Sequence, residues 1–206
     1  TAPYIAGQAM LTAGEVNRGV LIRGIDPKLE EGVADIGSHM KRGRLEDLKP
    51  GEFGIVLGSE VAQALGVGVG DSVLAITPQG TVTPAGTLPR VKSFKVVGIF
   101  EIGMFEFDNG LAFIDLSDAQ KLYRIDGVSG VRLKLTDMFD APQVARDLLR
   151  TLPVDAEVRD WTMSHANFFR AVQMEKRVMF IILTLIVAVA AFNIVSAQIM
   201  LVTDKQ

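Results

Sequence analysis

From Val178 to Thr203 the sequence contains no Asp, Glu, Lys or Arg. That run constrains the chain more than any other feature. A charge-free apolar stretch of about 18 or more residues is the signature of a bilayer-spanning helix, because only a helix satisfies every backbone group without water. At about 1.5 Å per residue, roughly twenty of these residues cross the hydrocarbon core of about 30 Å. A buried core helix is the competing reading, and this run is longer than a domain of this size requires. Residues 1–177, by contrast, mix apolar and charged positions as a folded aqueous domain does. The expected organisation is a domain outside the membrane, a membrane-proximal helix over 161–177 and a transmembrane helix over 178–203. Asp204-Lys205-Gln206 reads as the start of a further segment, so the sequence reads as a piece of a longer protein.

The formal net charge of −3 gives no electrostatic case for a nucleic-acid partner. The absence of cysteine excludes disulfides and thiolate metal sites, and is compatible with an oxidising compartment. Catalysis finds little support. His39 and His165 lie far apart without ligand-like spacing, so no metal site is expected. Gly66-Val67-Gly68-Val69-Gly70 matches a phosphate loop only in glycine content. It lacks the Lys-Ser/Thr pair, follows a helix and reads as a turn. Asp137 and Asp140 read as turn and cap residues.

Along the chain, Ile5–Leu11 and Arg18–Ile25 are β-rich runs around a turn at 13–17. Lys28–Lys49 has a weak helical pattern. Phe53–Leu57 reads as a strand, Ser59–Leu65 as a helix capped by Ser59, and Ser72–Ile76 as another strand. Val91–Phe100 and Leu111–Leu116 read as strands, joined in a hairpin by Asp108-Asn109-Gly110. A capping box at Ser117–Gln120 opens a helix to Tyr123. Val131–Leu135 and Val154–Asp160 read as strands flanking a helix from Asp140 to Leu152, with Pro142 in its first turn. The fold class expected is α+β. An α/β subdomain, 1–31 plus 116–160, would hold a β-rich subdomain, 32–115, as an insertion.

Between two of those strands lies Thr77–Pro89, with three prolines, two glycines and no charge. It reads as a long loop, and loops of that length in compact domains are usually functional when ordered. Prolines stiffen it, while Val82, Ala85 and Leu88 give it an apolar tip. A stiffened, uncharged, apolar loop suits docking to another protein, since less ordering entropy is lost on binding. On the membrane-proximal helix, Phe168, Phe169, Val172 and Met179 interleave with Arg170, Glu175, Lys176 and Arg177, giving an amphipathic segment at the interface. Within the span, Ile186, Ala190, Asn193 and Ala197 fall on one face at helical spacing. Small residues plus one amide suit helix packing, and an Asn against lipid is costly.

The run Gln173-Met174-Glu175-Lys176-Arg177-Val178-Met179, followed by Leu185–Ser196, resembles the second membrane helix of the lipoprotein-releasing ABC transporter permeases, the LolC/LolE (LolF) family. Leu21–Pro27, Gly51–Gly58 and Leu133–Asp137 agree. The glycine-bounded strand motifs are shared with the wider MacB-like permeases. The resemblance implies a periplasmic domain of two subdomains (MacB-like Porter and Sabre) and four membrane helices, of which this chain carries one. It implies a bacterial inner-membrane protein with its large domain in the periplasm, paired with a second permease subunit and a cytoplasmic LolD-like ATPase dimer. ATP and Mg would be bound by those ATPase chains and no cofactor by this one, which would be a non-enzymatic transport subunit. Triacylated lipoproteins would be lifted from the membrane lipid and passed to the periplasmic carrier LolA.

In LolC-type members a protruding hook recruits the carrier. The segment Val82-Thr83-Pro84-Ala85-Gly86-Thr87-Leu88-Pro89-Arg90, within a loop at 77–90, is similar to it. Thr136–Ala141 looks more like LolE, a mixture that fits the LolF type. Met174, Val178, Met179, Ile182 and Ile186 are the expected lipid contacts, with Ala190, Asn193 and Ala197 packing against neighbouring helices. Arg170, Lys176 and Arg177 outnumber Lys205, which by the positive-inside rule alone would place the large domain in the cytoplasm. The missing flanks and helices also set orientation. The alternatives are a MacB-like mechanotransmission permease, which would not need the hook, and a membrane-anchored envelope sensor or adaptor.

Overall fold

The computed structural model describes residues 1–83, 86–152, 157–164 and 166–203, with the side chains at 79, 81–83, 86–88, 164, 166–170, 197, 198 and 200–203 left aside. The elements run β1 (Ala2–Ala13), β2 (Val16–Ile25), α1 (Pro27–Glu30), β3 (Met40–Arg42), β4 (Gly54–Gly58), α2 (Ser59–Leu65), β5 (Ser72–Thr83) and β6 (Gly86–Phe100). They continue with α3 (Phe105–Asp108), β7 (Leu111–Asp115), α4 (Leu116–Tyr123), β8 (Gly130–Arg132), α5 (Ala141–Thr151), α6 (Trp161–Ser164) and α7 (Ala166–Thr203). The fold is mixed α/β, ending in a long apolar helix. The chain divides into two compact units, Thr1–Lys134 and Leu135–Gln206. Strands of both stretches expected as separate subdomains, 1–31 plus 116–160 and 32–115, share one sheet in the first unit.

In that unit the strand pairings follow the circuit β2-β7-β4-β6-β5-β1 and return from β1 to β2, so six strands close on themselves. β1 and β2 form a hairpin whose two-residue turn begins at Gly14 with φ 59, a conformation glycine adopts freely. β4 pairs parallel with β6 and antiparallel with β7, and β2 pairs parallel with β7. β4 and β7 are buried along their whole length. Successive side chains of a strand point to opposite faces. Accordingly Ile55, Leu57, Ala112 and Ile114 join one core with Ile5, Leu11, Ile22 and Phe94. Val56, Leu111 and Phe113 join a second with Ile25, Leu45 and Phe100. This double burial explains why both strands are unbroken apolar runs.

Helix α4 is seated firmly on the first core. Ala119, Leu122 and Tyr123 are buried in it. Gly24 leaves the space that the Ala119 methyl occupies, and Gly7 leaves the space for the Tyr123 ring. Asp118, fully buried, accepts the amides of Gly51 and Phe53, both at 3.0 Å, and pairs with Lys121 at 3.2 Å. That carboxylate holds Phe53 at φ 51, an uncommon conformation for a residue with a side chain.

Several local expectations are corrected. Asp108-Asn109-Gly110 does not join a hairpin, because β4 lies between β6 and β7. Instead the buried Asp108 carboxylate accepts the amides of Ile102 (2.8 Å) and Gly103 (2.9 Å), closing a loop around α3. The cap of α4 is Asp115, bonded to the Ser117 amide at 2.8 Å, two residues earlier than the Ser117 box. Gly58, not Ser59, is the cap residue of α2, because the Gly58 position is too close to the Asp108 backbone to hold a side chain. Asp140 makes no side-chain cap bond to α5, and Asp137 instead receives the Phe139 amide at 2.8 Å. Lys28–Lys49 forms only α1, two 3₁₀ turns and β3. In the expected strand Val154–Asp160, residues 153–156 lie outside the described residues and 157–160 have no regular structure.

In the second unit, α5 is amphipathic and buries Ala145. The Trp161 indole donates to the Met138 carbonyl at 2.8 Å, and its ring meets Phe139 edge-on at 6.5 Å. Asp160 receives the Thr162 hydroxyl at 2.6 Å and the amides of Thr162 and Met163, and the Thr162 hydroxyl bond leads in holding its carboxyl below the usual range. α7 is one helix of 38 residues, about 57 Å at 1.5 Å per residue. Its apolar part, Ala171–Ser196, is long and apolar enough to cross a membrane and is unburied throughout.

Candidate functional site

The Pro/Gly segment is not a loop. Its backbone continues β5 and β6, so that 72–83 and 86–100 form one long hairpin. β5 pairs with β1 only over Leu74–Ile76, and β6 pairs with its other neighbours only from Lys95 onward. Between those limits the two strands pair, among the described residues, only with each other, through Thr77↔Arg90 and then Thr81↔Leu88, Val82↔Thr87 and Thr83↔Gly86. The hairpin therefore leaves the closed sheet as an arm.

The ladder is interrupted between Thr77 and Thr81, where Pro78, Gln79 and Gly80 oppose the single residue Pro89. Proline lacks the amide a ladder needs, so its natural place in a sheet is such a bulge. Two of the three prolines that argue for a loop, Pro78 and Pro89, thus mark the root of a strand pair. Thr83 pairs with Gly86, leaving Pro84 and Ala85 between them, and these two lie outside the described residues. Of the expected hook residues, Val82, Thr83, Gly86, Thr87 and Leu88 are ladder positions, Pro89 is exposed at the bulge, and Arg90 belongs to the root.

At the root, alternate residues of β6 address the α4 side. Phe94 is buried in the core and meets the Phe53 ring edge-on at 5.7 Å. The Lys92 ammonium lies 3.7 Å from the centroid of that ring. Arg90 donates from Nη1 to the carbonyl of Tyr123 at 2.9 Å. Tyr123 is the last residue of α4, which ends on Arg124 in the left-handed conformation at φ 53. A cation at a helix C-terminus interacts favourably with the unsatisfied carbonyls there. Beside the root, Met10, Gly19, Leu21, Ile76, Pro78 and Pro89 line a largely apolar cavity of about 610 Å³. Arg90 is among the expected hook residues, but its inward contact escapes sequence reading because the partner is a backbone carbonyl 33 positions away, supplied by the fold.

The expected lipid-contact and packing residues lie on α7. Met174, Val178, Met179, Ile182 and Ile186 are all exposed, at 47–67%. At about 100° per residue, positions 179, 182, 186, 190, 193 and 197 fall within about 80° of one another. Met179, Ile182 and Ile186 therefore share one stripe with the packing positions, Asn193 among them, while Val178 lies about 40° and Met174 about 80° beyond its edge. His39, whose Nδ1 lies 2.7 Å from the Asp35 carbonyl, has a local structural role, and His165 lies outside the described residues.

Residues 1–151 match the family described as MacB-like periplasmic core domain. Over its full length the chain is 53% identical to the lipoprotein-releasing system transmembrane protein LolC of Neisseria meningitidis, covering 50% of that protein. It is 51% identical to the LolC protein of Xylella fastidiosa strain 9a5c, of which it covers 49%. To the corresponding LolE protein of Haemophilus influenzae it is 30% identical over its full length, covering 49% of that protein. The chain thus spans about half the length of these relatives.

Proposed function

The chain belongs to the MacB-like periplasmic core domain family, on the branch of the lipoprotein-releasing LolC and LolE proteins, and on that premise we propose that it is a permease subunit that passes lipoproteins from the inner membrane to the periplasmic carrier LolA. The observation that carries this reading is the arm: a hairpin that leaves the closed sheet, with a proline bulge at its root and an uncharged sequence to its tip. A hairpin whose strands are already paired loses little backbone freedom on binding, so more of the contact energy is left as affinity. The higher identity to LolC than to LolE supports a LolC-type subunit.

In this reading α7 lies in the inner membrane and the first unit in the periplasm. The stripe from Met179 to Ala197 faces the second permease subunit and the lipoprotein's acyl chains, and Val178 and Met174 meet the acyl chains on the flank beside it. Asn193 is then turned away from bulk lipid, where an amide is costly. ATP and Mg are held by a separate cytoplasmic ATPase pair, and this chain transmits their work.

The test is binding of purified LolA to the full chain in detergent or nanodiscs, comparing wild type with Leu88→Ser and Pro84→Gly. Saturable binding that is lost in the folded variants supports the reading. No binding by a folded wild-type chain leaves the MacB-like mechanotransmission permease ahead, since that protein has the same core domain and no carrier to recruit.

A further inference from the structure

We infer that Arg90 is a strut that aims the arm, a positioning residue rather than a contact for the partner. This rests on the reading that the arm is the docking element, and it assigns how the docking element is oriented.

Three observations converge on Arg90. First, Thr77↔Arg90 is the last pair before the ladder breaks, so whatever fixes this pair fixes the direction in which the outer hairpin departs. Second, the Arg90 guanidinium is spent inward. Its Nη1 donates to the Tyr123 carbonyl at 2.9 Å, and its Nε is buried with no hydrogen-bond partner among the described residues. A group facing an incoming protein would instead keep its donors in solvent. Third, the far end of the strut is immobile. α4 is pinned by Asp118 to the 51–53 turn, by Ala119 to Gly24 and by the Tyr123 ring to Gly7.

The mechanical consequence follows from the bulge. Where Pro78–Gly80 oppose Pro89 the ladder loses bonds, because the proline nitrogens donate nothing, so the outer hairpin takes its direction from the pair beneath the break. That pair has a fixed direction only if a side chain ties it to the body. Arg90 makes that tie with a charge-assisted bond to a helix C-terminus. Lys92, over the Phe53 ring, reaches the body one step further in, so Arg90 is the outer of the two ties on the body side of the bulge.

Because the chain has no cysteine, two introduced thiols can be spin-labelled uniquely. The experiment places labels at Thr83→Cys on the arm and Glu60→Cys on α2 of the full chain, and measures their distance distribution by pulsed electron paramagnetic resonance. Binding of LolA is measured in parallel. Arg90→Ala should broaden the distribution and weaken binding about tenfold, by returning orientational freedom that binding must then remove. Arg90→Lys, which can still donate to the Tyr123 carbonyl, should keep the distribution narrow and binding within about threefold. Leu88→Ser should lose binding with the distribution unchanged.

If Arg90→Ala weakens binding while the distribution stays narrow, Arg90 touches the partner and the strut is overturned. An unchanged distribution and unchanged binding overturn it equally. Should the wild-type chain fail to bind LolA, the carrier reading falls, while the distance distributions still decide whether Arg90 holds the arm.

Discussion

Gly24 and Ala119 touch across the β2–α4 interface so closely that a methyl added to the glycine would overlap the alanine's own. Two elements 95 positions apart are thereby locked at one depth. Gly24→Ala should destabilise the first unit by about 1–3 kcal/mol, the usual cost of overpacking a tight core. Urea unfolding would read the loss, and Gly24→Ala/Ala119→Gly should recover most of it. A double variant no more stable than the single would place the strain elsewhere.

Asp118 carries two backbone amides and one ammonium on a fully buried carboxylate. Asp118→Asn turns an acceptor into a donor facing an amide, with an expected cost of about 2–3 kcal/mol. Hydrogen exchange at Gly51 and Phe53 should accelerate more than at β7 amides. Uniform acceleration would mean that the turn has no separate dependence on Asp118.

Tyr123 buries its hydroxyl with no partner among the described residues, and burial pushes the phenol's pKa up. The unfolded phenol ionises near pH 10. Above that pH the unfolded state releases a proton that the folded state retains, so stability is full below about pH 10 and falls as the pH climbs toward the raised folded value. Tyr123→Phe should remove that share of the alkaline loss. It should be neutral or stabilising by about 1 kcal/mol at pH 7, because it deletes an unsatisfied buried group. An alkaline unfolding curve unchanged by the substitution would refute the assignment.

Glu30 is fully buried and paired with Arg132 of β8, while Arg23 stands near enough to feel both charges. Burial, and then Arg132, lower the pKa of Arg23, which nevertheless remains a cation at any working pH. Arg132→Gln strands part of the Glu30 charge and should cost about 3 kcal/mol, whereas Glu30→Gln/Arg132→Gln should cost less than the single change. Thermal melts of the wild type, Arg132→Gln, Glu30→Gln and the double variant close the cycle, and additive losses would show the charges to be independent.

Leu183 sits near the middle of the Ala171–Ser196 span. Leu183→Arg should raise the cost of insertion by about 2.5–3.5 kcal/mol. The fraction integrated in a translocon insertion assay reports it directly, and unchanged integration would argue that this segment does not cross the bilayer.

What could be read in advance was whatever is written locally. The Gly14 turn, the apolar runs of β4 and β7, the α5 helix and the uncharged span each carry their signal within a dozen residues. Pairing between distant strands does not. Asn109-Gly110 has good turn chemistry, yet β4 takes the place beside β6 that the hairpin would have given to β7. The arm was located by its prolines and glycines and misjudged in kind, because prolines argue against a strand except at a bulge, and a bulge is visible only once the partner strand is in place. Arg90 reads in the sequence as the last residue of the hook segment. Its meaning depends on the end of a helix that sequence order places well downstream.

The root bulge also bears on how such an arm can change over time. From Thr77 to Thr81 one strand advances four positions while its partner, from Arg90 to Leu88, advances two. The break therefore takes up two extra residues on one strand, as a bulge does. The outer hairpin lies beyond every pairing of the closed sheet, so its length can change without moving those pairings. The arm is a unit that selection can lengthen, shorten or exchange while the body beneath it stays the same.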